Sequence, residues 1–131
     1  MARALILTDV ASEAFHTQQI LSDFFDRVRA CNTVAGALEE IAESKPDLVI
    51  VFGLEGFRSQ PFKALAQVIT DTTPAMLMCV GPQVVGNGEP ERSMIVIPPL
   101  NQTNVVKAIH ELGLAGIVNQ SSLNKYCLPA N

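Results

Sequence analysis

The sequence predicts an α/β domain of three layers, in which a doubly wound, five-stranded parallel sheet carries helices on both faces. Short apolar runs alternate along the chain with segments that repeat apolar residues at helical spacing. Four of the five runs are continuously apolar, which is typical of parallel strands buried on both faces. The 131 residues suffice for one such domain, because a chain of this size can bury roughly two-thirds of its unfolded surface.

The first half of the chain is predicted to supply three strands and two helices. Ser12 is a suitable N-cap for the first helix, and Lys45-Pro46 stops the second. Arg27 and Arg29 fall on one side of the second strand, as expected of an edge strand kept soluble by charge. The predicted elements are a strand over Ala4–Thr8, a helix over Glu13–Phe25, a strand over Arg27–Ala30, a helix from Asn32 or Thr33 to Ser44, and a strand over Asp47–Phe52.

The second half is predicted to add two helices and two strands. Gly113 ends the last helix. The interval Gly81–Ser93 contains three glycines and two prolines, so the helix between the fourth and fifth strands is expected to be shortened or lost. The predicted elements are a helix that begins near Pro61, a strand over Ala75–Val80, a strand over Met94–Ile97, and a helix from about Thr103 to Leu112.

Composition excludes several classes of partner. The net charge is −4 and Lys and Arg form no cluster in the sequence, so no nucleic-acid partner is expected. No apolar run reaches the roughly 20 residues of a membrane span, and the apolar start is too short for a signal peptide, so no membrane partner is expected. Cys31, Cys79 and Cys127 lack metal-binding spacing, so we expect no metal and a reduced, cytoplasmic setting.

Three stretches are distinctive in their order and spacing. They are Ala37–Val51, Pro74–Met78 and Ile97–Leu100, the last of which contains a Pro-Pro-hydrophobic sequence after the fifth strand. Together with the order of strands and helices, they resemble the receiver domains of response regulators over residues 3 to about 113. The resemblance implies a flavodoxin-like sheet with the strand order 2-1-3-4-5.

The positions that carry phosphorylation chemistry in receiver domains hold other residue types in this chain. An acidic pair ends the first strand in that family, where this chain has Thr8-Asp9, and the phosphoacceptor aspartate corresponds to Phe52. The Thr or Ser that ends the fourth strand corresponds to Cys79, and the lysine of the fifth strand to Pro98. The resemblance therefore implies a degenerate receiver, or pseudo-receiver, that is not an enzyme, needs no cofactor and acts without phosphorylation.

The reduced helix ahead of the fifth strand predicts an interaction surface. Receiver domains commonly signal through helix four, strand five and helix five, and Met94–Ile97 carries no charge that would protect an uncovered edge. We expect a domain of bacterial signal transduction that docks a protein partner or a second copy. The alternative is that Gly81–Ser93 folds over the strand and hides it. The predicted surface comprises Val84, Val85, Met94, Val96, Lys107, His110 and Glu111.

A second class of function stays open, that of a small-ligand or nucleotide sensor. Doubly wound folds bind ligands at the carboxyl ends of their strands, where the order of the strands reverses. In this chain that crevice would be lined by Thr8, Asp9, Phe52 and Gly53. No Gly-rich or Ser/Thr-rich phosphate loop follows the first strand, which weakens the nucleotide alternative.

The chain is expected to divide after residue 113. Residues 1–113 form the receiver-like domain, and residues 114–131 form a tail or linker that leads to a possible further module. A disordered end is the alternative for this tail.

Overall fold

A computed structural model of the chain describes residues 2–52, 75–79, 93–96 and 100–126, with the backbone alone described at 75–79, 93–96 and 126. Its strands are β1 (Arg3–Leu7), β2 (Arg27–Cys31), β3 (Leu48–Phe52), β4 (Ala75–Cys79) and β5 (Ser93–Val96). Its helices within these ranges are α1 (Ala11–Leu21), α2 (Val34–Ser44), α3 (Gln102–Glu111) and α4 (Gln120–Tyr126). The helix predicted near Pro61 and the irregular interval Gly81–Ser93 lie outside the described residues.

The strands form one parallel sheet in the order β2-β1-β3-β4-β5, which confirms the predicted fold class and strand order. Alternate residues of the central strands enter two separate apolar clusters. Ala4 and Ile6 lie in the cluster that contains buried residues of α1, α3 and α4. Leu5 and Leu7 lie in the cluster beneath α2. β1 and β3 are therefore buried on both faces, which explains why their sequences are continuously apolar.

The start of α1 differs from the prediction. The helix begins at Ala11 with Val10 at the N-cap and no side-chain capping bond, so the predicted cap, Ser12, lies inside the helix. The backbone N–H of Val10 donates to Oγ1 of Thr8 at 3.2 Å. This bond turns the chain before Ser12 is reached, and thereby starts the helix earlier than predicted.

The end of α1 also differs, because the helix stops at Leu21 and not at Phe25. The backbone nitrogens of Phe24 and Phe25 both lie 2.9 Å from the carbonyl oxygen of Leu21. A tight turn therefore replaces the last predicted turn of helix. The turn buries both rings, with Phe24 1% and Phe25 4% exposed. These apolar residues follow helical spacing in the sequence but belong to the turn that leads into β2.

Both ends of α2 and the stop after α3 follow from local sequence, as predicted. The Thr33 hydroxyl accepts a first-turn N–H of α2 at 3.0 Å, and Lys45 ends that helix in the left-handed region at φ 48°. Asn101 and Asn104 exchange side-chain-to-backbone bonds of 2.8 and 2.9 Å at the start of α3. Gly113 follows α3 with φ +76°, a conformation that favours glycine.

The predicted division after residue 113 is wrong for the described part of the tail. Leu114, Val118 and Leu123 are 3%, 4% and 5% exposed and belong to the same cluster as α1 and α3. The backbone N–H of Asn119 donates to the carbonyl oxygen of Phe24 at 2.9 Å, which ties the tail to the turn after α1. Residues 114–126 are therefore packed parts of the domain. Residues 127–131 lie outside the described chain.

Candidate functional site

The carboxyl ends of three neighbouring strands bring the predicted site residues together. Leu7 of β1 is in register with Val51 of β3, and Phe52 of β3 is in register with Cys79 of β4. Thr8, which follows β1 directly, therefore lies beside Phe52 along the same edge of the sheet. The register places three of the five predicted positions side by side; Asp9 is next to Thr8, and Pro98 lies outside the described residues.

Thr8 occupies its position with a hydroxyl that is already engaged. The residue is buried, with 6% of its surface exposed. Its Oγ1 donates to Oε1 of Glu13 at 2.8 Å and accepts the N–H of Val10 at 3.2 Å. A hydroxyl held in this way supplies no negative charge to the strand end, whereas the carboxylate implied by the receiver resemblance would.

Glu13 is a site residue that sequence reasoning missed. The first turn of α1 carries its carboxylate back to Thr8, so Glu13 and Asp9 are two acidic groups close in sequence at this edge. An acidic residue in the first turn of the helix after Thr8-Asp9 is the sequence signal that could have identified it. Within the described ranges, no three His, Cys, Asp or Glu side chains come together as a group that could hold a metal ion.

Phe52 presents an aromatic ring where the receiver resemblance implies a phosphoacceptor. The side chain is half-buried and packs against the cluster that contains residues of α1 and α3. Phenylalanine has neither a carboxylate nor a hydrogen-bonding group, so it cannot accept a phosphoryl group. The ring instead extends the apolar core toward the strand ends.

The described cleft at this edge is not the predicted one. An open cleft of about 260 Å³ lies at the ends of β1 and β2, whereas the prediction placed a crevice between the ends of β1 and β3. Thr8 and Asp9 line it as predicted; Phe52 is not among its lining residues, and Gly53 lies outside the described chain. The described residues that line it are Thr8, Asp9, Ala11, Ala14, Ala30, Cys31 and Asn32.

Cys31 is the thiol of this cleft, and its environment makes it unreactive. Burial raises its pKa to about 11, and the nearby negative charge of Glu40 contributes in the same direction. Its Sγ lies 3.5 Å from the carbonyl oxygen of Ile6, to which it donates. A thiol that stays protonated near neutral pH is neither a strong nucleophile nor a good metal ligand.

The predicted interaction surface is described in part. Lys107, His110 and Glu111 are exposed on α3. β5 is an edge strand among the five described strands, and α3 lies against it. The residues Val84 and Val85 lie outside the described chain.

The register of β5 divides its residues between the two faces of the sheet. Met94 pairs with Leu77, and Val96 pairs with Cys79, which itself pairs with Phe52. Met94 and Val96 therefore take register positions on the face of Phe52, the side of α1 and α3. Ser93 and Ile95 take register positions on the opposite face.

No helix within the described ranges has the length and apolarity needed to cross a membrane.

Comparison with known proteins identifies the fold. No family model matches the chain. No curated protein matches it either. A response regulator receiver protein from Sinorhizobium medicae WSM419 superimposes with a TM-score of 0.69 at 21% identity, covering 96% of this chain and 97% of that one.

Two further solved structures show the same similarity. The BeF3-activated conformation of SdrG from Pseudomonas melonis Fr1 gives a TM-score of 0.62 at 23% identity, over 84% of this chain and 94% of its own. The response regulator domain of CheB from Thermotoga maritima gives 0.58 at 15% identity, over 98% and 99% of the two chains. The chain therefore has the fold of the response-regulator receiver domains.

Proposed function

We propose that this domain is a receiver-like module of bacterial two-component signal transduction that acts without phosphorylation, by docking a protein partner or a second copy. The observation that carries the proposal is the half-buried ring of Phe52, which lies at the strand end and packs against the apolar core. A domain with the receiver fold and no phosphoacceptor at that position keeps the scaffold and lacks the nucleophile.

The remaining polar groups at this edge do not replace the missing chemistry. Formation of an aspartyl phosphate needs a carboxylate nucleophile, and Mg²⁺ needs hard oxygen ligands in octahedral geometry. Glu13 is already bonded to the Thr8 hydroxyl at 2.8 Å. Asp9 is exposed and lies beyond the end of β1. One exposed carboxylate and one engaged carboxylate make a poor metal site, which supports a role in binding.

The two edges of the sheet suggest where a partner docks. Arg27 and Arg29 place charge along β2, which protects that edge from pairing. The residues of β5 carry no charge, and among the described strands none pairs with its outer edge, which favours strand addition there. The exposed Lys107, His110 and Glu111 of the adjacent α3 would form a polar rim beside this edge.

The first test of this proposal concerns phosphorylation. The chain is incubated with acetyl phosphate and Mg²⁺, and its intact mass is measured. We expect no phosphoryl adduct, and no spectroscopic change with beryllofluoride, because the phosphoacceptor carboxylate is absent. A stoichiometric adduct that disappears in Asp9→Asn would overturn phosphorylation independence and would assign Asp9 as the acceptor.

The second test concerns the docking surface, with a second copy of the chain as the partner. Sedimentation velocity compares the wild type with the charge reversals Lys107→Glu and Glu111→Lys, and with Ile95→Lys, whose register position lies on the face away from α3. Phe15→Lys is the matched control, because Phe15 is 64% exposed on α1.

We expect the wild type to self-associate, the β5 and α3 variants to associate more weakly, and Phe15→Lys to behave as the wild type. The reversals at Lys107 and Glu111 change exposed side chains and should not unfold the domain. They therefore test whether this surface mediates association even if Ile95→Lys is unstable. Unchanged association in both reversals, with the fold intact by circular dichroism, would count against this surface. A wild type that stays monomeric at about 100 μM would reject the dimer form.

A small-ligand sensor is the second candidate, and the cleft lined by Thr8, Asp9 and Asn32 favours it. Its mixed polar and apolar lining is typical of a small-molecule site. Thermal-shift screening with nucleotides and small metabolites tests the idea. A stabilising compound whose effect is lost in both Asp9→Asn and Asn32→Ala would support a sensor, whereas a screen without such a compound would leave docking as the sole proposal.

A further inference from the structure

Three arginines converge at the amino ends of β1 and β2, on the sheet face covered by α2. Arg3 is in register with Arg27, and Leu5 is in register with Arg29. Because Leu5 belongs to the cluster beneath α2, the three arginines share that face. The whole chain has nine Lys and Arg residues and a net charge of −4, so this group is a local concentration of positive charge in an acidic protein.

The three arginines line a narrow recess between the sheet and α2. The recess offers about 10 Å³ of water-accessible space, which is room for about one water molecule, and it is partly open to solvent. It is lined by Arg3, Ala4, Leu5, Arg27, Arg29, Glu40, Ser44 and Pro46.

The lining does not balance the positive charge. Among the described lining residues Glu40 carries the one carboxylate, and its Oε1 lies 3.5 Å from Nη1 of Arg29. Nη1 of Arg3 donates to the carbonyl oxygen of Ser44 at the end of α2. The neighbouring carboxylates of Asp26 and Asp47 accept backbone N–H groups of Ala2 and Arg3, at 2.8 and 3.0 Å. Three arginines thus line the recess beside one described carboxylate.

One hydrogen-bond donor of a lining residue has no acceptor. Among the described residues, Nε of Arg3 is buried and has no hydrogen-bond partner. A buried N–H without an acceptor is destabilising, and like charges on paired strands repel one another. A water molecule would satisfy the N–H but would leave the repulsion. An anion with several oxygens would satisfy both requirements.

We propose that this recess binds a small oxyanion of the phosphate class. One oxygen enters the recess and accepts from Nε of Arg3, and the other oxygens lie outside it against Arg27 and Arg29. Planar guanidinium groups recognise such oxyanions through paired, charge-assisted hydrogen bonds. The recess lies at the amino ends of β1 and β2, whereas Thr8 and Asp9 lie at the carboxyl edge, so this site is separate from the strand-end site and from the β5 edge.

The test is a titration of the full chain with inorganic phosphate at constant ionic strength. Isothermal titration calorimetry measures the affinity, and proton–nitrogen correlation spectra follow the Nε–H signals of the arginines. We expect saturable binding that shifts the Arg3 Nε–H signal. Arg27→Gln and Arg29→Gln should each weaken the affinity about tenfold or more, because each removes a charge-assisted contact. Lys125→Gln removes the same charge from α4, on the other side of the sheet, and should bind as the wild type.

Absence of saturable binding at about 10 mM phosphate would overturn the proposal and leave a water molecule as the occupant. Equal weakening in Lys125→Gln would also overturn it, because the effect would then follow net charge and not the recess. Arg3 is left unsubstituted because it also caps α2 through Ser44. If either arginine variant fails to fold, the shift or constancy of the Arg3 Nε–H signal in the wild type still decides the question.

Discussion

The packed tail makes a quantitative prediction about the boundary of the domain. Leu114, Val118 and Leu123 lie in the main cluster, and no more than 5% of any of them is exposed. Burial of one Leu or Val side chain contributes about 1.5–3 kcal/mol, so the three together contribute about 5–9 kcal/mol as an upper estimate. The net stability of a domain is about 5–15 kcal/mol. Deletion of the chain after Gly113 should therefore remove about a third or more of the free energy of unfolding.

A pair of point variants tests the same argument without deleting the chain. Leu123→Ala should lower the free energy of unfolding by about 2–4 kcal/mol, because it leaves a cavity in the cluster. Ile117→Ala is the control, since Ile117 lies on the same segment but is 46% exposed, and it should cost less than about 1 kcal/mol.

Urea unfolding followed by far-ultraviolet circular dichroism is the suitable measurement, because the chain has no tryptophan for fluorescence. The expected loss in Leu123→Ala corresponds to a fall in Tm of about 6–20 °C for a domain of this size. If Leu123→Ala and Ile117→Ala have the same small effect, and the chain truncated after Gly113 unfolds at the same urea concentration as the full chain, then the tail contributes nothing and the reasoning fails.

Three further predictions concern local features. Gly113→Ala should lower the free energy of unfolding, measured in urea, by about 1 kcal/mol, because the φ of Gly113 is +76°. Gly116→Ala should not be destabilising, since both sites have open space for a methyl group and differ in backbone conformation. Equal effects of the two substitutions would contradict the explanation from backbone conformation. Thr33→Ala should cost about 1 kcal/mol through loss of the N-cap of α2, and an unchanged midpoint would show that the cap is dispensable. The Cys31 thiol should be alkylated slowly at neutral pH, with a rate that rises toward pH 11, and Glu40→Gln should lower its pKa and speed the reaction, as measured by peptide mass spectrometry; a rate like that of a free thiol would contradict burial. Because the folded-state pKa is raised, the stability contributed by this thiol is present below about pH 9 and is lost as the pH rises through about 11.

Most of the sheet could be predicted from the sequence because four of the five strands are short apolar runs, and β2 alternates arginine with apolar residues. The N-cap at Thr33 and the stop at Gly113 were also predictable, since both depend on bonds or backbone angles within a few residues. The prediction of an N-cap at Ser12 was wrong because the N–H of Val10 donates to the Thr8 hydroxyl, and this turn starts the helix at Ala11. Local patterns therefore sufficed where the deciding interaction was itself local.

The features that the sequence did not reveal depend on residues brought together by the fold. Arg3 and Arg27 are 24 positions apart, and only the parallel register makes them neighbours, so the sequence showed no basic cluster. Leu114 and Leu123 belong to a segment with no long periodic pattern, and their burial depends on the surface offered by α1 and α3. At the candidate site, the family resemblance predicted that Thr8 and Phe52 lie at neighbouring strand ends, whereas the contact between Thr8 and Glu13 required the geometry of α1.

The unequal edges of the sheet limit how copies of this chain could assemble. A pair formed through β5 would be isologous, since the same edge is used by both copies about a two-fold axis. The combined sheet would then end on both sides in β2, where Arg27 and Arg29 oppose the approach of another strand. Growth would stop at two copies, so the charge pattern of β2 favours a closed dimer over an open fibre.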